Sequence, residues 1–227
     1  MQLPETLAIA ILAPSPLPAM FAPGGPGPHN HWCDDVLFDP SPSGPPVELD
    51  AGFGRARGML VDELVGRGLR GECGVREREV MWFGFGQGGM AALDAAVAVE
   101  VAAAEKEKGG GGGADTSASG NAEMSGVITI GGPLSSSTFH YFHASELRRS
   151  GKKCRTPVLI CGGNRESAVT SEKIKRLKEV FESVEVVKWD RKGDGMMKSR
   201  EEMMPIMRFL GKRLRSRAGV PEGSVEV

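Results

Sequence analysis

The residues whose types and spacing most clearly suggest a binding or catalytic role form a glycine-rich turn, GFGQGG at 84–89. Gly84, Gly86 and Gly89 fit the G-x-G-x-x-G spacing, in which glycines let the backbone approach a pyrophosphate. The same letters differ by one residue from G-x-S-x-G, a sharp strand-to-helix turn that projects a nucleophilic serine. Gly86 stands where that serine would be. The second interpretation therefore predicts the turn without its nucleophile, because glycine has no side chain.

A dinucleotide site requires a second strand after the helix of the turn, ending in a carboxylate that binds a ribose hydroxyl. The region that would supply it reads AAAEKEKGGGGG at 102–113. Glu105 and Glu107 lie near the required distance, but no strand pattern precedes them. Nucleotide binding is therefore the less favoured of the two interpretations.

Alternating strand and helix patterns predict the elements that would position this turn. Continuous apolar runs, typical of strands buried on both faces, lie at 7–13, 79–83, 126–132, 156–163 and 184–189. Helical patterns cover 51–66, the stretch after the turn, and two later segments. The alternation predicts an α/β fold, a mostly parallel sheet flanked by helices on both faces. Sites in such sheets form at the carboxyl ends of the strands.

Helix-capping signals mark the last two predicted helices. Thr170 or Ser171 can cap the first of them, and Ser199 with Glu202 fits a capping box at the second. Pro205 is unfavourable inside a helix and favours a later start.

Length and composition predict a single domain over 1–227, because 227 residues with 40% hydrophobic content supply one sizeable core. The low-complexity stretch 105–125 contains five consecutive glycines and predicts a disordered insertion. Residues 217–227 are expected to form a flexible tail.

The charge balance and the short apolar runs exclude several classes of partner. A net charge of −1 argues against a nucleic-acid or membrane-surface partner. No run approaches the roughly 18 apolar residues of a membrane span, so we expect no integral membrane contact. The apolar run 7–13 lacks the positive flank of a signal peptide. The missing signal-peptide pattern and the low content of four cysteines together favour a cytoplasmic location.

No metal or cofactor is expected from the sequence. No cysteine pair has C-x-x-C spacing, which leaves a zinc or dithiol motif unsupported. His140 and His143 have helical spacing but lack a nearby third ligand.

Several segments resemble one known family when they are taken in order. WFGFGQGGMAAL resembles the GFSQGG elbow of the acyl-protein thioesterase and carboxylesterase (phospholipase/carboxylesterase) family of α/β-hydrolases. HWCDDV at 31–36 resembles the W-x-D segment of that family, and GVITIGGPL resembles the strand after its elbow helix. TPVLICGGNRESAV and GDGMMKSREEMMPIMRFL resemble the segments that carry the triad aspartate and histidine. The resemblance covers roughly 5–215.

The resemblance implies an ester or thioester hydrolase whose catalytic triad is degenerate. The nucleophile position holds Gly86, the aspartate position falls near Arg165 or Glu166, and the histidine position holds Asp194. An aspartate with a pKa of about 4 is a poor base for a serine proton at neutral pH. No histidine follows His143.

The resemblance also implies an oxyanion site and a binding cleft. The first oxyanion donor would be the backbone N–H of Gln87. The second belongs to an early H-G-x-G loop, and no such segment precedes residue 7. The sheet is therefore expected to be abbreviated at its N-terminus, with one edge exposed. The cleft would lie near Gly86 and be lined by Trp32, Pro133 and Met196.

Three functional hypotheses remain open from the sequence. The first is a hydrolase relative that binds an acyl ester or thioester ligand without cleaving it. The second is an active esterase using Asp194 or Glu166; the serines at 135–137 could offer a hydroxyl but fit a polar loop better. The third is an interaction module, a weak homodimer formed through the exposed sheet edge.

Overall fold

The computed structural model describes residues 6–17, 29–35, 52–108 and 122–214. A two-residue antiparallel ribbon comes first, formed by β1 (Ser15–Pro16) and β2 (Asn30–His31). The main sheet consists of four parallel strands that lie side by side in chain order: β3 (Met81–Phe85), β4 (Gly126–Ile130), β5 (Val158–Arg165) and β6 (Val184–Lys192). The last four predicted strands are confirmed, with shifted ends.

Helices cover both faces of this sheet, as predicted. They are α1 (Gly54–Arg57), α2 (Gln87–Lys108), α3 (Ser136–Ala144), α4 (Glu146–Arg149), α5 (Ser171–Val180) and α6 (Arg200–Arg213). On one face Val127 and Val158 pack in a core with residues of α2 and α5. On the other face Ile128 and Leu159 pack with Phe209 of α6. The central strand β4 is buried at all five positions, which explains its uninterrupted apolar sequence.

The prediction of a buried strand over 7–13 is wrong. This stretch belongs to no strand, and Leu7, Ile9 and Leu12 are 85%, 51% and 65% exposed. An apolar run becomes a strand only where a neighbouring strand accepts its backbone hydrogen bonds. In the described part of the chain 7–13 pairs with no strand, and the sheet ends at β3.

The helix predicted over 51–66 begins and ends later than expected. α1 continues directly into a π-helical run, Gly58–Glu72, after which the N–H of Cys73 donates to the carbonyl of Gly68. Such runs are rare, and their wider turns do not follow the 3.6-residue period on which the prediction rested.

The disordered insertion predicted over 105–125 needs correction at both ends. Residues 105–108 are the last turn of α2, and Met124 is buried just before β4. The glycine run at 109–113 and the tail at 217–227 lie outside the described residues.

Both predicted helix caps are present. The Thr170 hydroxyl accepts from the N–H of Lys173, and the Ser199 hydroxyl accepts from the N–H of Glu202. The carboxylate of Glu202 accepts from the N–H of Lys198 rather than from Ser199, so the capping box is only half formed. α6 starts at Arg200 and includes Pro205, contrary to the expected later start; a proline there removes one N–H donor from the helix.

A buried ion pair joins α1 to α2. The carboxylate of Asp94, 1% exposed, accepts from Arg57 Nε at 2.9 Å and Nη2 at 2.7 Å. It also accepts from the hydroxyl of Thr138 at 2.7 Å, which ties α3 to the same group. The Arg57 guanidinium lies 3.8 Å from the ring centroid of Tyr141. One carboxylate therefore connects three helices.

We predict that Asp94→Ala destabilises the fold by about 3 kcal/mol, because it leaves a partly buried guanidinium without its partner. Denaturant unfolding followed by circular dichroism measures this change. Glu172→Ala is the control, since its ion pair with Arg176 is at the surface and is worth about 0.5 kcal/mol. Equal destabilisation by the two variants would contradict the assignment.

Candidate functional site

A single residue turns the chain from β3 into α2. Gly86 has a φ of +52°, in the left-handed region that favours glycine. Its N–H donates to the carbonyl of Ile130 at 2.9 Å. Its own carbonyl accepts from the N–H groups of Gly89 at 3.0 Å and Met90 at 3.1 Å. β3 extends through Phe85, so the strand-to-helix bend is sharper than the sequence suggested.

The neighbouring glycines of the turn are required by close backbone contacts. A Cβ at Gly84 would lie 2.4 Å from the carbonyl oxygen of Gly88, and one at Gly89 would lie 2.1 Å from Thr129 Oγ1. A Cβ at Gly132 would lie 2.3 Å from the carbonyl oxygen of Gly86. α2 therefore begins in direct contact with β3 and with the end of β4.

Gly86 differs from these neighbours because a Cβ built on it meets nothing within 4 Å. The turn thus has the backbone conformation and the free space that a projecting side chain would need. Because residue 86 is glycine, no side chain fills that space. The site lacks a nucleophile at this position while its surroundings leave room for a ligand group.

The surroundings of the turn give no support to the dinucleotide interpretation. β4, the strand after α2, is followed by Gly131 and Gly132 rather than by an acidic residue. Glu105 and Glu107 are exposed in the last turn of α2, not at the end of a strand. The carboxylate required for a ribose hydroxyl is therefore missing from that position.

Trp32 lies against the start of α2. Its backbone N–H donates to Gln87 Oε1 at 3.3 Å. Its Nε1 lies 3.3 Å from the position of a Cβ on Gly88. Gln87 is the first residue of α2, where backbone N–H groups have no partner within the helix. The structure thus brings together three residues that the sequence predicted for the site: Gly86, Gln87 and Trp32.

Asp194 lies at the end of β4 and beside Gly163 of β5, and its carboxylate is occupied. Oδ1 accepts from the N–H of Gly163 at 3.0 Å and from the hydroxyl of Ser167 at 2.7 Å. Oδ2 accepts from the N–H of Ala168 at 2.7 Å. One donor from β5 and two from the loop after it make this carboxylate a structural acceptor.

Asp194 is packed closely against the neighbouring strand end. Its Cβ lies 2.5 Å from the position of a Cβ on Gly131, which has a φ of +65°. Gly131 therefore has to be glycine for two reasons, the backbone conformation and the contact.

Glu166 faces solvent instead of the other predicted site residues. It is the only residue other than glycine with a positive φ, +49°, in the part of the chain that the structure describes. Its carboxylate, 66% exposed, pairs with Lys192 Nζ at 2.9 Å. It is thus engaged in a surface ion pair.

The two remaining cleft residues differ in exposure. Met196 is 48% exposed, and its carbonyl accepts from Arg191 Nη1 at 3.0 Å. The Arg191 guanidinium also stacks on Trp189, 4.5 Å from its ring centroid, which fixes the loop that carries Met196. Pro133 is buried. Met196 is therefore accessible to a ligand, whereas Pro133 is not.

The other chemically capable side chains have structural roles. Ser135 is buried and caps α3 by accepting from the N–H of Thr138 at 3.0 Å. His140 and His143 lie on α3, and the described residues contain no group of three potential metal ligands. Burial raises the pKa of the Cys161 thiol to about 12, which keeps it protonated at neutral pH.

Ser167 and Lys188 are residues that the sequence analysis missed. The Ser167 hydroxyl bridges Asp194 Oδ1 and the N–H of Val169. Lys188 Nζ donates to the carbonyls of Gly163, at 3.2 Å, and Val169. Burial lowers the pKa of the Lys188 ammonium, while the charge of Asp194 opposes that shift. Lys188 could have been found from the sequence, because it is the one lysine in the otherwise mostly apolar strand VEVVKW. No sequence pattern pointed to Ser167.

The sequence matches no protein-family model and no curated protein. The family resemblance and the function that it implies therefore remain predictions. No helix in the described ranges is both long enough and apolar enough to span a bilayer.

We predict that serine is tolerated at Gly86 but not at Gly84. Gly86→Ser should cost about 1–2 kcal/mol, the strain of an L-residue at positive φ. Gly84→Ser should cost about 3 kcal/mol or more, because its Cβ would force α2 away from β3. Thermal unfolding of the two variants, which differ only in position, tests this. Equal loss of stability would contradict the proposed contacts.

We also predict that Asp194→Ala destabilises the protein by about 2 kcal/mol, since three donors lose their acceptor. Glu166→Ala, which removes only an exposed ion pair, should change the free energy of unfolding by less than about 0.5 kcal/mol. Urea unfolding measures both values. Amide hydrogen exchange should quicken at Gly163 and Ala168 in the first variant alone.

Proposed function

We propose that this protein is a catalytically silent relative of the acyl-protein thioesterase and carboxylesterase type of α/β-hydrolase, which binds an acyl ester or thioester. The observation that carries the proposal is Gly86, which has the backbone of a nucleophile turn and open space in the direction of the missing side chain. Such a site can accept a ligand but has no oxygen with which to form an acyl intermediate.

Two further features support a lack of catalytic activity over catalysis by non-standard residues. Asp194 accepts one hydrogen bond from β5 and two from the loop after it, and acting as a base would take the carboxylate away from these donors. Glu166 is paired with Lys192 at the surface. Both carboxylates are thus engaged with partners within the protein.

Three groups that the proposal assigns to the site favour an acyl ligand. The backbone N–H groups at the start of α2, Gln87 included, favour a partly negative carbonyl oxygen. The partly buried Trp32 and the exposed Met196 supply apolar surface for an acyl chain. This combination suits an ester or thioester, which has a polar carbonyl beside an apolar chain.

The cysteines fit a reducing compartment, so the proposal includes a cytoplasmic location. Cys73, Cys154 and Cys161 are free thiols, and the last two are buried. Buried free thiols are tolerated where oxidants are scarce.

Catalytic silence is tested with a fluorophosphonate probe and p-nitrophenyl butyrate on the purified full chain. We expect no covalent labelling and hydrolysis at the buffer rate. Gly86→Ser should also stay unlabelled, because the carboxylates of Asp194 and Glu166 are engaged with other partners and would not activate the new hydroxyl. Labelling of the wild-type chain, or turnover that falls in Asp194→Ala or Glu166→Ala, would replace this proposal by an active esterase.

Ligand binding is tested by titrating octanoyl-N-acetylcysteamine, a small acyl thioester, and following tryptophan fluorescence. Trp82 and Trp189 are buried, so the signal should come mainly from Trp32. Gly86→Leu should weaken binding at least about tenfold by filling the open space. Gly151→Leu is the matched control, since Gly151 also has a positive φ, +74°, and open surroundings. No saturable signal, or equal weakening by both variants, would contradict acyl binding.

A further inference from the structure

The exposed large apolar side chains concentrate in two segments, which we name the N-terminal run (7–13) and the edge strand (β3). In the N-terminal run Leu7, Ile9 and Leu12 are 85%, 51% and 65% exposed. In the edge strand Phe83 and Phe85 are 48% and 49% exposed. Met196 is the only other exposed large hydrophobic residue in the described ranges. Clustered apolar exposure of this kind marks an interaction surface.

The edge strand has an unused row of backbone hydrogen-bonding groups. Its residues pair in parallel with β4 on one side, and in the described part of the chain no strand lies on the other side. Phe83 and Phe85 project on the same face as their register partners Ile128 and Ile130, which are fully buried. The apolar face of the sheet therefore continues to its edge without the cover that it has further in.

The N-terminal run has the sequence of a strand but no strand partner. It carries a strand-like apolar sequence, LAIAILA, yet it belongs to no strand. It is held at its end, where the Ala13 carbonyl accepts from Asn30 Nδ2 at 2.7 Å, while 7–10 are exposed at every position. A segment of this composition gains most by adding to a sheet edge.

Neither segment contains a charged residue. Natural sheet edges are usually protected from association by a lysine, a proline or an inward-pointing charge. Residues 7–13 and 81–85 have none of these protections. Their pairing would thus bury no unpaired charge.

We propose that the N-terminal run of one copy adds as a fifth strand to the edge strand of a second copy, reciprocally, in a two-fold dimer. In a dimer with this symmetry the same two segments meet twice. Leu7 and Ile9, which share one face of an extended strand, can then cover Phe83 and Phe85, and the edge strand gains backbone partners. This dimer does not depend on the acyl site proposed above.

The area available fits a weak dimer. The exposed parts of the five side chains amount to about 400 Å² per copy, at about 100 Å² for a whole leucine or isoleucine and about 200 Å² for a phenylalanine. Two copies bury about 800 Å², and with the polar share of a typical interface the total reaches about 1,300 Å². This is the lower end for a specific interface, so we expect micromolar dissociation.

The test is sedimentation velocity of the full chain over a wide concentration range, with lysine placed in each segment separately. Ile9→Lys and Phe83→Lys should each weaken dimerisation at least about tenfold, because each buries an ammonium group. Met196→Lys is the matched control, with the same added charge at a residue of equal exposure, 48%. It should leave the dimer intact. Circular dichroism and thermal unfolding verify that each variant folds.

Mixing Ile9→Lys with Phe83→Lys distinguishes reciprocal pairing of the N-terminal run with the edge strand from other dimer arrangements. In the mixed dimer one of the two junctions is free of lysine, so association should be partly restored relative to either variant alone. Amide exchange at 81–85 and 8–12 should slow with rising wild-type concentration. This last readout does not require any variant to fold.

Several outcomes would overturn the proposal. A wild-type chain that stays monomeric to millimolar concentration excludes it. Loss of the dimer in Phe83→Lys but not in Ile9→Lys would indicate that two edge strands pair directly. Dissociation by Met196→Lys would indicate unspecific association. Titration of Ile9→Lys with the acyl thioester keeps the two proposals apart, since binding there is expected whether or not the dimer forms.

Discussion

The site depends on one constraint, the backbone contact between the start of α2 and the strands β3 and β4. Gly84, Gly89 and Gly132 have no side chains, and the space that their Cβ atoms would need is occupied by the carbonyl oxygens of Gly88 and Gly86 and by the Thr129 hydroxyl. This approach leaves one residue, Gly86, to reverse the chain direction, and only a left-handed conformation does so. The shape of the turn is thus preserved by packing, whether or not position 86 carries a reactive group.

A second junction lies where Asp194 binds the loop after β5. Its carboxylate accepts from the N–H groups of Gly163 and Ala168, and Lys188 donates to the carbonyl of Gly163. A charged group used in this way stabilises the backbone that it binds. The lack of a nucleophile at Gly86 and the structural use of Asp194 are therefore consistent with each other.

The same strand carries both the turn and the exposed edge of the sheet. Phe85 is half exposed and immediately precedes Gly86. Ligand binding and association are separate proposals, but the geometry of β3 makes them neighbours on one surface.

The sequence alone determined the α/β class, the four strands of the sheet, the caps at Thr170 and Ser199, and the turn at Gly86. These features follow from local patterns: apolar runs, hydroxyl residues before helices, and glycine spacing. It could not decide whether 7–13 forms a strand, because pairing needs a partner that the pattern does not name. Nor could it show that Glu166 faces Lys192 while Asp194 accepts from Gly163, Ser167 and Ala168. Those contacts join residues far apart in the chain, and only tertiary structure brings their atoms within hydrogen-bonding distance.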